Sequence, residues 1–293
     1  MKILISGATG FIGSKLVSRL RSSGHTVTLL VRSTSDVGLL WDPYRHEVDL
    51  RRMEGYDVFV NLSGESINGR WTNDKKKKIA DSRIYPTRFL SECIGKLKNP
   101  PKSFVCASAI GYYGNRGDEE LTENSGPGSG FLADVCKAWE SETRMIESKG
   151  IRVVNVRTGL VLSPEGGALQ KLLLPFKLGV GGVVGSGRQW WSWIDLNDLL
   201  RIYQYAIEND NVKGPVNAVA PNTVTNRTFV KTLARVLRRP ALFPLPSFIV
   251  KIIFGEMGEE LLLFGQRVLP ARLNESGFEF EHKELEPALR SML

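Results

Sequence analysis

No apolar run in this chain approaches the roughly 20 residues needed to cross a bilayer, which excludes a membrane-spanning helix. The opening MKILISGATG carries a short apolar run into a glycine turn where a secretion signal would show a charged, apolar and small-residue sequence, so no export is expected. Cysteine is scarce: Cys93, Cys106 and Cys136 are odd in number, scattered and without metal-ligand spacing. A disulfide framework and a thiolate metal site are thereby excluded, and three plain thiols in a reducing compartment are expected. That compartment is the cytoplasm, or a stroma or matrix if a transit peptide has been removed. A basic stripe interleaved with exposed aromatics is also missing, so no nucleic-acid partner is expected. The net charge of +8 then suits an anionic small ligand. KKKK at 75–78 falls in a polar helical stretch and is expected to be a solvated face. With 293 residues, 42% of them hydrophobic, the chain can bury one large core, or one core plus a small appended domain.

What is present begins with a βαβ unit. KILIS (2–6) is a short apolar run, FIGSKLVSRLRSSG (11–24) has helical periodicity and a glycine stop, and TVTLLV (26–31) is a second β-rich run. Between the first two lies the loop Gly7-Ala8-Thr9-Gly10-Phe11-Ile12-Gly13. Glycines there permit a tight turn and close approach of backbone to a pyrophosphate, which rests on the free N–H groups of the following helix. Strand, loop, helix and second strand in this order make a dinucleotide site the expected reading. The second strand ends on Arg32, followed by Ser33, Thr34 and Ser35. An acidic residue at that point would bind the ribose hydroxyls and repel a phosphate, whereas arginine accommodates the 2′-phosphate, so NADP(H) is expected over NAD.

Further strand-like runs follow with helices between them: DVFVNLSG (57–64), SFVCASA (103–109) and RVVNVRTGLVL (152–162). The alternation predicts an α/β fold, a doubly wound parallel sheet with helices on both faces, whose ligands gather at the carboxyl ends of the strands. Ser63-Gly64, Ser108 and Thr158-Gly159 stand at those ends. The expected division is a Rossmann domain over 1–165, with a later returning segment near 190–220, and a smaller, mostly helical lobe over 166–293. In that lobe TNRTFVKTLARVLRR (225–239) forms a capped amphipathic helix and SFIVKIIFGEMGEELLLFGQ (247–266) a longer apolar one. They close over the cofactor or make a homodimer contact. Gln189 and the cluster Trp190, Trp191 and Trp193 precede a helix start at Asp195 or Asp198. The tryptophans stack on a ligand ring or form core, and core is the preferred reading.

GATGFIG, NLSGESI (61–67), ASAIGYYG (107–114), RTGLVL (157–162), LLPFKLGVGG (173–182), GSGRQWWSWIDLNDL (185–199) and PLPSFIVKIIFGE (244–256) together resemble the extended, epimerase-like short-chain dehydrogenase/reductases. More narrowly, the chain is similar to the subgroup that ends in a conserved C-terminal domain of unknown function. The resemblance implies a cofactor site. Gly7, Thr9, Gly10, Phe11, Ile12 and Gly13 match the phosphate loop, and Arg32 the 2′-phosphate contact. Leu62, Ser63 and Gly64 match the strand end that passes the ribose, and Thr158, Gly159 and Leu160 the segment beside the nicotinamide carboxamide. Arg83 matches a subgroup arginine, with Lys78 a weaker neighbour, and both would lend positive potential to a diphosphate.

The same family places a tyrosine four residues before a lysine on the catalytic helix, the lysine's charge lowering the tyrosine pKa. FLADVCKAWE (131–140) has neither: Lys137 is preceded at four residues by Ala133, and anchoring on Glu140 puts Leu132 and Cys136 at the two positions. Ser108, four residues before Tyr112, fits the hydroxyl that would bond a substrate carbonyl or alcohol. Three replacements for the proton donor stay open. Tyr112 could donate if buried near a cation, or else pack as an aromatic. Glu65 could act as an acid if desolvation raised its pKa, although a helix N-terminal acid is the preferred reading. The substrate could also supply its own acid. Two functions follow: an NADP-dependent oxidoreductase or epimerase on a small or nucleotide-linked carbonyl or alcohol, or a non-catalytic NADP(H)-binding regulator or scaffold. Relatives linked to bacterial or plastid division suit the second.

Overall fold

The computed structural model describes residues 1–33 and 36–293. Thr34 and Ser35, behind the expected 2′-phosphate contact, lie outside them. Eight strands form the main sheet: β1 (Lys2–Ser6), β2 (Thr26–Val31), β3 (Leu39–Asp42), β4 (Glu47–Val48), β5 (Val58–Asn61), β6 (Ser103–Ala109), β7 (Arg152–Thr158) and β8 (Gly214–Ala218). Their spatial order is β8-β7-β6-β5-β1-β2-β3-β4, and every pairing is parallel except the β3–β4 hairpin. From β1 the chain moves to one side of the sheet through β2, then returns at β5 and proceeds to the other. The crevice between the ends of β1 and β5 is therefore the topological switch point where such sheets bind ligands.

The strands are apolar on both faces because both faces are covered. Ile3, Ile5, Val58, Val60, Val105, Val154 and Val156 enter one core, while Leu4, Phe59, Phe104, Cys106 and Val153 enter the opposite one, the alternation that a two-residue period imposes. Helices α1 (Phe11–Ser22), α2 (Asn73–Ile94), α3 (Phe131–Ser141), α4 (Gly167–Lys177), α5 (Leu196–Glu208), α6 (Asn226–Leu237) and α7 (Ser247–Gly258) complete the frame. Helices α1 and α5 pack together, as do α2 and α3. The returning segment supplies α5 and then β8, which pairs with β7 from Gly214↔Val154 to Ala218↔Thr158. One apolar cluster runs from Ile3 to Leu289, so the later residues share the core of the first sheet.

Several local expectations resolve. Asp195, not Asp198, caps α5: it is buried and accepts from the Asn197 and Asp198 amides at 2.8 and 3.1 Å, while its other oxygen lies 3.2 Å from His282 Nδ1. Thr225 caps α6 through the Thr228 amide at 3.3 Å. Trp191 and Trp193 are core, and half-buried Trp190 donates to Asp118 at 2.7 Å. The continuous apolar helix over 247–266 is corrected: Gly255, at φ +59° and ψ −141°, breaks it inside α7, and Glu259–Leu263 continues as a π-turn. The reason is the glycine itself, which alone takes a left-handed φ cheaply. The KKKK run is corrected as well. Lys75 bonds Glu65 at 2.8 Å and Lys76 bonds Glu256 at 2.7 Å, both half-buried, and Lys77 pairs with Asp81. Only Lys78 of the four is exposed without an ion pair among the described residues.

Cys93, Cys106 and Cys136 are all free and buried, and burial pushes each thiol from an ordinary 9.0 up to about 12. A folded pKa above the unfolded one means that the associated stability is complete below about pH 9 and is lost as pH rises to about 12. Thiol reagents should therefore label none of the three in the native protein at neutral pH and all of them after unfolding, with base-induced unfolding setting in across that alkaline window. A fast-reacting native thiol contradicts this packing. Asp195→Ala should lower stability by about 1–2 kcal/mol in urea unfolding, with Asp195→Asn retaining most of the cap; equal losses for both would show that the cap contributes nothing.

Candidate cofactor and active site

The loop after β1 closes on itself and on β5. A Cβ on Gly7, which has φ +71°, would lie 2.5 Å from the Leu62 carbonyl, and one on Gly13 would lie 2.1 Å from the Gly7 carbonyl oxygen. Both positions thus admit only glycine. Helix α1 begins at Phe11 with Gly10 as its cap, no side-chain cap bond and no acidic residue in its first turn. Among the described residues its leading N–H groups have no side-chain acceptor, which fits a phosphate. Thr9 and Gly10 are exposed at the turn. Ile12 packs on the core, and the Phe11 ring lies against Gly166 at the start of α4, 2.6 Å from where its Cβ would be. Arg32, exposed at the end of β2, lines a cleft of about 450 Å³ with Arg45 and Arg52.

The end of β5 is fixed by a buried polar chain. Ser6 Oγ donates to Asn61 Oδ1 at 2.6 Å, Asn61 Nδ2 donates to Thr87 Oγ1 at 2.7 Å, and Trp139 Nε1 donates to the same Thr87 oxygen at 2.8 Å. Ser63 joins through its amide to Asn61 (3.1 Å) and its hydroxyl to Ser6 (3.0 Å). Leu62 and Ser63 are thereby held at the crevice floor beside exposed Gly64. Across the sheet, the Gly159 amide bonds the Ala218 carbonyl (3.1 Å) and the Leu160 amide bonds the Ser192 carbonyl (2.8 Å). A Cβ on Gly159 would strike Ser192 O at 2.5 Å, and Thr158 remains half-buried at the strand end.

Between the end of β6, α3 and β7 a buried polar constellation is built. Arg157, 3% exposed in β7, forms a two-pronged pair with Glu140 of α3, Nε to Oε1 at 2.8 Å and Nη2 to Oε2 at 2.7 Å. Ser108 donates to Glu140 Oε1 at 2.7 Å, so its hydroxyl proton is directed at this carboxylate. The third guanidinium nitrogen donates to Tyr113 OH at 2.9 Å, and that phenol, fully buried, donates between Asn217 Oδ1 (2.7 Å) and the Thr122 carbonyl (3.0 Å). Burial pushes Tyr113 up to about 12 despite the opposing Arg157 charge, so it stays neutral. Burial alone would lower the Arg157 pKa, yet the Glu140 fork outweighs it and the pKa is raised. Tyr112 lies in the same turn, Ile110–Tyr113, with the Arg157 guanidinium carbon 3.5 Å from its ring centroid. Tyr112 is half-buried, and its hydroxyl makes no hydrogen bond among the described residues.

The other candidates separate. Glu65 bonds Lys75, which holds its carboxyl below the ordinary range, so the raised-pKa acid is ruled out; nor does it cap a helix, since α2 starts at Asn73 behind its own cap, Thr72. Lys137 bonds Asp134 at 3.2 Å on an exposed face. Cys136 lies under the Tyr112 turn, its sulfur 3.8 Å from where a Gly111 Cβ would be. Arg83 is half-buried beside Gly64, while Lys78, nearer the start of α2, is exposed. Sequence reasoning did not single out Arg157, Glu140 as its partner, or Asn217. The available signal was the charge of Arg157 inside an otherwise apolar strand, which demands a buried acid.

Comparison with known proteins agrees with this architecture. Residues 3–219 match the model of the NAD dependent epimerase/dehydratase family, and residues 245–292 match a domain of unknown function, DUF1731. The epimerase family protein Mb2239 of Mycobacterium bovis is 42% identical over 290 residues, covering 98% of this chain and 96% of that protein. A crystal structure of human epimerase family protein SDR39U1 with NADPH is 37% identical with TM-score 0.92, covering 100% of this chain and 99% of that one. The UDP-N-acetylglucosamine 4-epimerase of Bacillus cereus, 18% identical with TM-score 0.77 over 100% of this chain and 98% of that one, shares the fold. With the switch-point crevice, the glycine loop and both family matches in one chain, the protein belongs to the NAD-dependent epimerase/dehydratase family, in its extended short-chain dehydrogenase/reductase branch.

Proposed function

We propose that the chain binds NADP(H) across the switch point and acts as an oxidoreductase or epimerase on a small or nucleotide-linked carbonyl or alcohol, with Tyr112 as proton donor and acceptor. The cofactor assignment rests on the uncapped α1 terminus, on Arg32 with Arg45 and Arg52 nearby, and on the NADPH of the human relative's crystal structure. Gly7, Gly10 and Gly13 would admit the diphosphate, Leu62 to Gly64 would pass the ribose, and Thr158 to Leu160 would face the carboxamide. When bound, NADPH supplies a hydride, so the protein must supply or remove a proton at the substrate oxygen.

The carrying observation is the free phenol of Tyr112. Tyr113 beside it is sealed by three partners, whereas Tyr112 keeps its hydroxyl uncommitted and its ring pinned by a guanidinium 3.5 Å away. The guanidinium and the ring face each other as a cation–π pair. Ser108 acts indirectly, fixing Glu140 and through it Arg157. A second reading, an NADP(H)-occupied regulator, draws on that same committed Ser108 hydroxyl and on the exposed apolar side chains of Phe248, Ile252 and Ile253, which suit a partner protein.

A panel of small and nucleotide-linked carbonyls, followed by NADPH oxidation, separates the two. Turnover is expected, and Tyr112→Phe should lower kcat by about 10²-fold or more while leaving NADPH affinity unchanged. Tight NADPH binding without turnover on any substrate favours the regulator, and an unimpaired Tyr112→Phe enzyme removes Tyr112 from the chemistry.

A further inference from the structure

The end of α7 and the turn after it are loosely held. Gly255 takes φ +59° and ψ −141°, and a Cβ there would meet nothing within 4 Å, so glycine serves its backbone angles and not a lack of space. From 256 to 264 only Gly258 is buried, and the π-turn Glu259–Leu263 buries no residue. Polar ties secure this stretch instead. Glu260 accepts from the Phe131 and Leu132 amides at 2.8 and 3.0 Å, Glu256 accepts from Lys76 at 2.7 Å, and the Leu262 carbonyl accepts from Gln189 Nε2 at 2.9 Å. Just beyond, the Gly265 amide donates to Asn115 Oδ1 at 3.1 Å. Burial pushes the Glu260 carboxyl above its ordinary range, outweighing the two amides, so its charged form is held at a cost. A segment with little buried surface and few ties opens at a lower free energy than the core.

The same ties fix where the segment lies. Helices α2 and α3 lead into the parallel strands β6 and β7 and run opposite to them, so each begins at the carboxyl edge of the sheet. Lys76 stands in the first turn of α2, and Phe131 and Leu132 open α3. The Leu132 Cβ lies 3.1 Å from where a Gly111 Cβ would be, in the turn that carries Tyr112. Asn115 follows that turn, and Gln189 adjoins Trp190. Residues 256–264 therefore pass from the start of α2 over the start of α3 to Gln189, across the carboxyl edge beside the Tyr112 turn.

Resting on the reading of the crevice around Tyr112 as a substrate site, we propose that residues 256–264 are a lid on it, hinged at Gly255 and latched by Glu260 on the first amides of α3. The lid lies inside 245–292, the domain of unknown function, and gives that domain a role. Open, it admits the substrate; closed, it keeps water from the reacting carbonyl or alcohol. It moves as one body, so loosening one tie frees the others.

Two readouts on the full chain test this. In hydrogen exchange followed by NMR, the Phe131 and Leu132 amides and residues 256–264 should exchange together, ahead of β5, β6 and the later turns of α3. Gln189→Ala removes the tie at Leu262 and touches neither amide, yet it should speed exchange at Phe131 and Leu132 by about fivefold, the effect of one hydrogen bond. A fixed cap gives no change there, and a segment as protected as the sheet does not open; either result overturns the proposal. Glu260→Gln should speed that exchange, and the nitration of Tyr112 by tetranitromethane, by about tenfold or more, with exposed Tyr44 as the unchanged reference. If the segment is released and Tyr112 reacts no faster, it does not cover the site and the proposal falls. Should Gln189→Ala not fold, Glu260→Gln carries both readouts. Neither readout needs cofactor or turnover, so an absence of turnover strikes the functional reading alone.

Discussion

The ion pair of Arg157 with Glu140 is the constraint on which the candidate site depends. Taking both groups from water is costly, and the pair is tolerable because its geometry is two-pronged and its remaining polar atoms are used. Glu140 Oε1 also receives Ser108, and Arg157 Nη1 reaches Tyr113. Four pieces of chain therefore meet at one charge pair: the end of β6, the Tyr112–Tyr113 turn, α3 and β7. Removing one partner of such a pair costs about 3–5 kcal/mol through the charge left behind, so the pair fixes the turn as well as the strands.

Helix α3 carries Leu132 and Cys136, and its Lys137 bonds Asp134. Around the same end of the sheet, Arg157 comes from β7, Arg83 from α2 and Tyr112 from the turn after β6. The C-terminal segment reinforces α3: Glu260, in the π-turn beyond Gly255, accepts from the Phe131 and Leu132 amides at 2.8 and 3.0 Å. This supplies the cap that Gly130 cannot provide. Lys76 closes the same corner by bonding Glu256 and lying 4.6 Å from the Phe131 ring centroid. The late residues thus help set the geometry of the helix that lines the crevice.

How much of this was legible in the sequence follows from the range of the interactions. The glycine loop, β1, α1 and β2 were legible because turn chemistry and periodicity act over a few residues. The parallel sheet followed from alternating elements, and the placement of Ser63, Ser108 and Thr158 at its edge followed from the sheet. The β3–β4 hairpin was not legible, as Leu39–Asp42 and Glu47–Val48 are too short to show a period. The Glu140 constellation was hidden because its bonds join distant positions: Ser108 meets Glu140 across 32 residues and Tyr113 meets Asn217 across 104. Pairing in the fold likewise altered the Lys75–Lys78 run and Glu65, which local sequence presents as free charges.

Beneath both functional readings lies one electrostatic claim, that Arg32 and the bare amides of α1 together hold a 2′-phosphorylated dinucleotide. Calorimetric titration of the full chain with NADPH and with NADH at the same ionic strength measures it directly. NADPH should bind at least about tenfold more tightly, the difference expected from one charge-assisted phosphate contact. Equal affinities, tighter binding of NADH, or binding of neither would contradict it.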